Sequence, residues 1–337
     1  MIDLHLHLDG SLPPGLLLEL AGLEGVALPA DTEEGLRPYL TVPPECQSLG
    51  AFLERFALPV SCMQSVATLS RAASGLVEEL AQQGLLYAEI RFAPQLHLQK
   101  GLTQEQVVRA VICGIEKGQE GNAIKTGLLL CCMRGADNKE ANEETVRLAA
   151  AFLGQGVSGI DLAGAEALYP TRDFAPLFAL ASRLQVPFTV HAGEADGPEG
   201  VREALSWGAR RLGHGVRAAE DPSLLEEIKR EKITLEVCVT SNLQTGAVPP
   251  GTVHPILSLL RQGVRVTVNT DDMTVCGTTL ARELALLREM GMTGEEEQRL
   301  FENALEAAFI TEEERASLQQ QLAAAFERRK GGCGPAI

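Results

Sequence analysis

The chain holds six histidines, and four of them sit where short apolar runs end. His5 and His7 close the run Ile2–Leu8, His191 closes Val186–His191, and His214 closes Arg211–His214. Asp271 and Asp272 follow the run Val264–Asn269. Side chains two apart on a strand point to the same face, so His5 and His7 can present two imidazoles to one point. An isolated His-x-His is roughly as often structural as ligating. A third histidine and a carboxylate on other runs shift that balance. Three imidazoles and an aspartate, with a position left for water, form a ligand set that suits zinc. Glu194 stands three residues after His191, past a turn that lifts its carboxyl above such a site, where it can pass a proton to or from a bound molecule. His214 lies between Gly213 and Gly215, which let the backbone turn sharply and approach a ligand. Its imidazole is open to three readings: a further ligand, a base, or a satisfied core group. The favoured role lies beside the metal, orienting its water and stabilising developing charge. His97, in Pro94–His97, and His254, ahead of Pro255, fit no such pattern and are expected to be structural. Glu89 and Arg91, two apart on another run, are expected to form an internal ion pair with a structural role.

These groups lie far apart in the chain, so regular elements must bring them together. Eight runs rich in Val, Ile and Leu read as strands: Ile2–Leu8, Leu85–Phe92, Lys125–Met133, Val157–Leu162, Val186–His191, Arg211–His214, Ile233–Val239 and Val264–Asn269. Between them lie helix-period stretches such as Glu105–Gln119, Glu140–Leu153, Phe174–Leu184 and Pro222–Arg230. Strands alternating with helices pair in parallel through right-handed crossovers. Eight such units predict the α/β class and a (β/α)8 barrel, whose catalytic groups stand at the C-terminal rim of the strands. The candidate residues all fall at that rim. One connection breaks the rhythm. Residues 9–84 join the first two strands through Pro-rich sequence and helical pieces around Leu16–Ala21, Leu49–Ala57 and Val66–Gln82, and so long a connection at a barrel mouth predicts a helical lid. Gly294–Arg329 reads as two further amphipathic helices and residues 330–337 as a loose tail. No linker, low-complexity segment or repeat divides the 337 residues, so one domain over residues 1–337 is expected.

Composition narrows the partners. A net charge of -16 repels nucleic acid and anionic membrane, and tolerates a neutral small molecule better than a polyphosphate. No apolar run reaches membrane-spanning length. The eight cysteines, Cys46, Cys62, Cys113, Cys131, Cys132, Cys238, Cys276 and Cys333, contain no Cys-x-x-Cys pair, which argues against a thiolate zinc site. With no secretory segment ahead of Ile2, they are expected to be reduced and mostly buried in a cytoplasmic protein.

Six collinear segments carry a family likeness: His5–Leu12 (HLHLDGSL), Asp161–Gly164 (DLAG), His191–Glu194 (HAGE), Arg211–Gly215 (RLGHG), Thr240–Asn242 (TSN) and Asn269–Asp272 (NTDD). With these the chain resembles the adenosine deaminase family of the amidohydrolase superfamily. The resemblance implies hydrolytic deamination of adenosine and 2′-deoxyadenosine on a barrel holding one zinc-type ion per chain. His5, His7, His191 and Asp271 would bind that ion. Glu194 would protonate the ring nitrogen beside the reacting carbon, His214 would orient and help activate the water, and Asp271 would take part in catalysis as well as in metal binding. Asp272 would hydrogen-bond the purine N7, the Gly164 backbone would meet N3, Asp9 would reach the ribose, and His7 would also face the substrate. Phe52, Leu53 and Phe56 would form part of the apolar lid.

Two positions depart from the family pattern. Ala165 stands where many relatives carry Asp, and Met273 where Pro is usual; both bear on specificity or loop shape. The end of the fourth strand has no lysine to bridge two ions, so one metal is expected. The Cys-x-x-Cys motif of cytidine-type deaminases is absent. A sister activity on adenine, or on a nucleoside modified at the 5′ or N6 position, is the nearest alternative, and Asp9 favours a ribose-bearing substrate. Remoter alternatives are a non-catalytic purine-binding barrel and a barrel hydrolase of esters, lactams or phosphotriesters.

Overall fold

Seven of the eight runs become strands of four residues or more because β-branched and Leu residues fill a pleat that is buried on both faces. The computed structural model describes residues 1–43, 46 and 48–330. Its strands are β1 (Ile2–His7), β2 (Tyr87–Phe92), β3 (Lys125–Met133), β4 (Val157–Ala163), β5 (His191–Ala192), β6 (Arg211–His214), β7 (Thr234–Val237) and β8 (Arg265–Val268). All pair in parallel, in the order β1-β2-β3-β4 and β5-β6-β7-β8. Backbone bonds join the two sheets at both seams. Thr189 N–H donates to Ile160 O at 3.1 Å and Ile160 N–H to Pro187 O at 3.0 Å; at the other seam His7 N–H donates to Asp271 O at 2.7 Å and Asp271 N–H to His5 O at 2.8 Å. Pairing therefore runs from β1 through β8 and returns to β1, which is the (β/α)8 circuit.

β5 is shorter than the expected run Val186–His191. Pro187 has no N–H to donate, so the segment ahead of His191 is tied to β4 only around Phe188. The expected helix over Leu49–Ala57 is broken into Leu49–Leu53, a 3-10 turn at Glu54–Phe56, and Ala57–Ser61, in which Pro59 is buried. Helices Val66–Gln82 and Gln104–Gln119 both begin with a reciprocal Ser/Thr capping box. The last two helices are Gly294–Ala307 and Glu312–Lys330; of the expected tail, residues 331–337 lie outside the described residues.

The barrel floor is charged rather than apolar. Arg91 and Arg211 are fully buried. Arg91 reaches Asp161 and Glu236 at 2.9 Å each, and Arg211 reaches Glu89 and Glu236 at 2.6 Å each. The expected Glu89–Arg91 pair is thus replaced by pairs across the barrel. Neighbours two apart on one strand stand about 6.5–7 Å apart along it, whereas inward side chains from facing strands converge. Among the described residues no helix is long and apolar enough to cross a membrane. The described cysteines are free and all but Cys113 are buried; Cys333 lies outside the described residues.

Candidate active site

Alternation on β1 sends Leu4 and Leu6 into the core and turns His5 and His7 inward, His5 fully buried and His7 half-open at the rim. Asp271 follows β8 at φ +60°, a left-handed conformation that costs a non-glycine residue about 1–3 kcal/mol. Its two backbone bonds to β1 hold it there and carry its carboxylate over the histidines. His5 Nε2 lies 3.2 Å and His7 Nε2 3.4 Å from Asp271 Oδ1, and the Nε2 atoms of His7 and His191 stand 3.3 Å apart. Ligand atoms of all four residues lie within 4.8 Å of one another. A tetrahedral shell about 2.0–2.1 Å from a zinc-type cation has edges of about 3.3–3.4 Å, so these separations fit such an ion. His5 Nε2 is buried and faces Asp271 Oδ1 inside this cluster, where an atom holding a cation would stand.

Behind the imidazoles stand two carboxylates that the sequence alone does not place there. Glu236 Oε2 lies 3.0 Å from His5 Nδ1, and Asp161 Oδ2 lies 2.8 Å from His191 Nδ1. Such partners fix the ring orientation and leave Nε2 to point at the shared centre. A lone acid in the apolar run of β7 was the available signal for Glu236, and Asp161 belonged to a recognised segment. Burial lowers the pKa of His7, His191 and His214, which keeps their nitrogen lone pairs free. Burial and Arg91 also push His5 down, but hydrogen bonds to Asp271 and Glu236 outweigh them and raise it. Burial opposes ionisation of Asp271, yet hydrogen bonding to His5 and the charge of the histidines hold it well below the usual carboxylate range.

Glu194 and His214 stand together beside this centre. His214 Nε2 lies 3.6 Å from Glu194 Oε2 and 3.9 Å from Asp271 Oδ2, while its Nδ1 is fixed 3.0 Å from the Asn242 amide. His214 takes φ +59° and also lies near the Cys238 thiol, which burial keeps protonated. Burial, reinforced by the charges of Asp271 and Glu166, pushes Glu194 up to about 8. Its carboxyl is therefore protonated at neutral pH, the form a general acid requires.

A cavity of about 310 Å³ opens over these groups, at the small end of the range for small-molecule sites. His7, Asp9, Phe52, Leu53, Phe56, Gly164, His191, Glu194, His214, Asp271 and Asp272 all line it, and His5 lies beneath it. Leu49, Ala93, Leu96, Cys131, Met133, Arg134, Ala163 and Ala165 complete the wall, none of them singled out as wall residues from sequence. Asp9 is pushed up to about 6 by burial. Asp272 is pushed well above the usual range by burial and by the charges of Asp271 and Asp9. One oxygen of each is buried without a partner. Gly10 makes room for Asp272: a Cβ there would sit 1.7 Å from Asp272 Oδ1. Gly164 follows β4 at φ +106°, open only to glycine, and exposes its backbone to the cavity. Met273 lies behind this wall, its N–H donating to Ser11 Oγ at 3.1 Å. His97 donates from Nδ1 to Met63 O, and His254 Nδ1 accepts from Ile256 N–H; both are buried away from the cavity.

A parallel barrel with three histidines, one aspartate and a buried acid at its C-terminal rim defines a metal-dependent hydrolase architecture. The family model for adenosine deaminase matches residues 1–325. The adenosine deaminase of Haemophilus ducreyi is 45% identical over 94% of each chain, and that of Enterococcus faecalis 38% identical over 96% of each. Among solved structures, an adenine deaminase from Arthrobacter aurescens superposes with a TM-score of 0.87 at 26% identity, covering 97% of this chain and 98% of the other. An Arabidopsis N6-mAMP deaminase superposes at 0.83 with 29% identity over 97% of each chain. The chain belongs to the adenosine deaminase family.

Proposed function

We propose that this chain hydrolyses the 6-amino group of adenosine and 2′-deoxyadenosine, consuming water and releasing ammonia and the 6-oxo nucleoside. The observation that carries the reading is the set of 3.2–3.4 Å separations among His5, His7, His191 and Asp271. These four residues would hold one divalent ion, zinc by the chemistry of the donors. When bound, such an ion lowers the pKa of a coordinated water from 15.7 to about 7.

The chain's own residues do the rest. Addition of water at C6 breaks the aromaticity of the ring, and protonation of the neighbouring ring nitrogen offsets that loss. Glu194 holds the required proton at neutral pH. His214 stands between Glu194 and Asp271, where it orients the attacking oxygen and stabilises charge as it develops. The proton on Asp272 makes it a donor to N7, an acceptor. The Gly164 backbone faces N3, and Asp9 accepts from a ribose hydroxyl. We infer that Leu49–Ser61 serves as a lid whose Phe52, Leu53 and Phe56 exclude water, which strengthens each of these interactions.

A sister activity on free adenine is the second reading, favoured by the likeness to the Arthrobacter enzyme. Asp9 is then left without a ribose partner, which argues for the nucleoside. Ultraviolet assays on adenosine, 2′-deoxyadenosine, adenine and N6-methyl-AMP decide between them. Fastest turnover of adenosine or its deoxy form supports the first reading; faster turnover of adenine overturns it.

A further inference from the structure

Glu166 follows Ala165 past the end of β4 and is 1% exposed, outside the cavity wall. Its carboxylate accepts four consecutive backbone N–H groups. Oε1 takes Gly193 at 2.8 Å, and Oε2 takes Glu194 at 2.9 Å, Ala195 at 2.7 Å and Asp196 at 3.0 Å. Successive amides converging on one anion form a nest, here filled by a side chain from a different loop. Gly193 supplies the turn at φ +73°. The segment so gripped carries Glu194.

One further contact and one charge tie the grip to the same strand end. Arg134 donates to His191 O at 2.5 Å, which anchors the root of the segment. Burial lowers the Arg134 pKa, and Glu166 is foremost among the carboxylates that pull it back up, so a buried cation balances the buried anion. Hydrogen bonds to an ionised acceptor are shorter and stronger than neutral ones, and four of them leave residues 193–196 little freedom.

We infer that Glu166 is a positioning residue: it fixes the backbone of residues 193–196 and thereby aims the Glu194 carboxyl at His214 and the cavity. The inference rests on the reading of Glu194 as the acid. Replacing Glu166 with Gln turns one acceptor into a donor that meets an N–H of the nest. Replacing it with Asp keeps both oxygens and the charge but shortens the reach by one methylene.

The test uses both variants, and its first readout is independent of turnover. In E166Q the amides of residues 193–196 exchange hydrogen at least about tenfold faster than in the wild type, while those of β6 are unchanged and metal content is retained. Its kcat on adenosine falls about 100-fold with KM within about threefold, since misplacement by about 1 Å costs that much. E166D recovers at least about tenfold of that loss. In an E194Q background E166Q lowers kcat no further than about threefold. Wild-type exchange at residues 193–196 in E166Q, or wild-type kcat, overturns the inference. So does loss of metal or a uniform rise in exchange, which marks a general structural role. If E166Q fails to fold, E166D decides alone: faster exchange confined to residues 193–196 with kcat lowered by up to about tenfold supports the inference, and wild-type exchange with wild-type kcat overturns it. A wild-type protein that turns over no 6-aminopurine sinks the functional reading instead, and the exchange measurement still judges the grip.

Discussion

Replacing Glu194 with Gln removes a carboxyl that the fold keeps protonated, and the consequence for stability can be worked out. The group ionises near its usual 4.5 in the unfolded chain and at about 8 in the folded one. Between those values the folded state binds the extra proton, so its stability falls as pH rises. The slope approaches about 1.4 kcal/mol per pH unit, roughly 5 kcal/mol over the interval. E194Q carries no ionisable group at this position and lacks this contribution. Urea unfolding of metal-free wild type and E194Q at pH 5, 6.5 and 8 isolates it, because other titrations are common to both. E194Q is expected to gain stability over the wild type steadily from pH 5 to pH 8, by a few kcal/mol. Parallel curves would mean that Glu194 is ionised in the folded protein, which refutes its role as a resident acid. In the metal-loaded enzyme the same change lowers kcat by about 10²–10⁴ at neutral pH without loss of metal.

Asp161→Asn removes the carboxylate behind His191 and weakens metal retention about 10–100-fold, measured by competition with a chelator; unchanged retention contradicts the role given to that contact. Gly10→Ala drives a methyl group into Asp272, so kcat/KM falls about 100-fold while metal content stays at the wild-type level, and a near-normal rate shows that Asp272 is not needed where it stands. Asp9→Ala raises the KM for adenosine about tenfold, the cost of one lost hydrogen bond, and leaves adenine turnover unaffected; equal effects on both substrates contradict ribose recognition.

The metal-binding candidates were legible because a barrel confines chemistry to strand ends. His5, His7, His191 and Asp271 each close or follow an apolar run, so position alone singled them out. Glu194 was legible through its nearness to His191. The groups that support them were not. Glu236 and Asp161 act on histidines 231 and 30 positions away in sequence, and Glu166 acts through backbone amides that carry no residue signature. The Glu89–Arg91 expectation failed for a related reason: sequence shows which side chains share a face, and the facing strands decide which of them meet. The breaks in the Leu49–Ser61 segment and the short β5 follow from single prolines, Pro59 and Pro187, whose local effect depends on where neighbouring chains offer partners.

Residues from three parts of the chain must share one cation for the proposed chemistry to run. Anomalous scattering at the zinc edge from crystals of the metal-loaded protein tests it directly. A single fully occupied peak is expected about 2.0–2.2 Å from His5 Nε2, His7 Nε2, His191 Nε2 and an Asp271 oxygen. A peak elsewhere, or a fully active enzyme with no peak among these four residues, contradicts it.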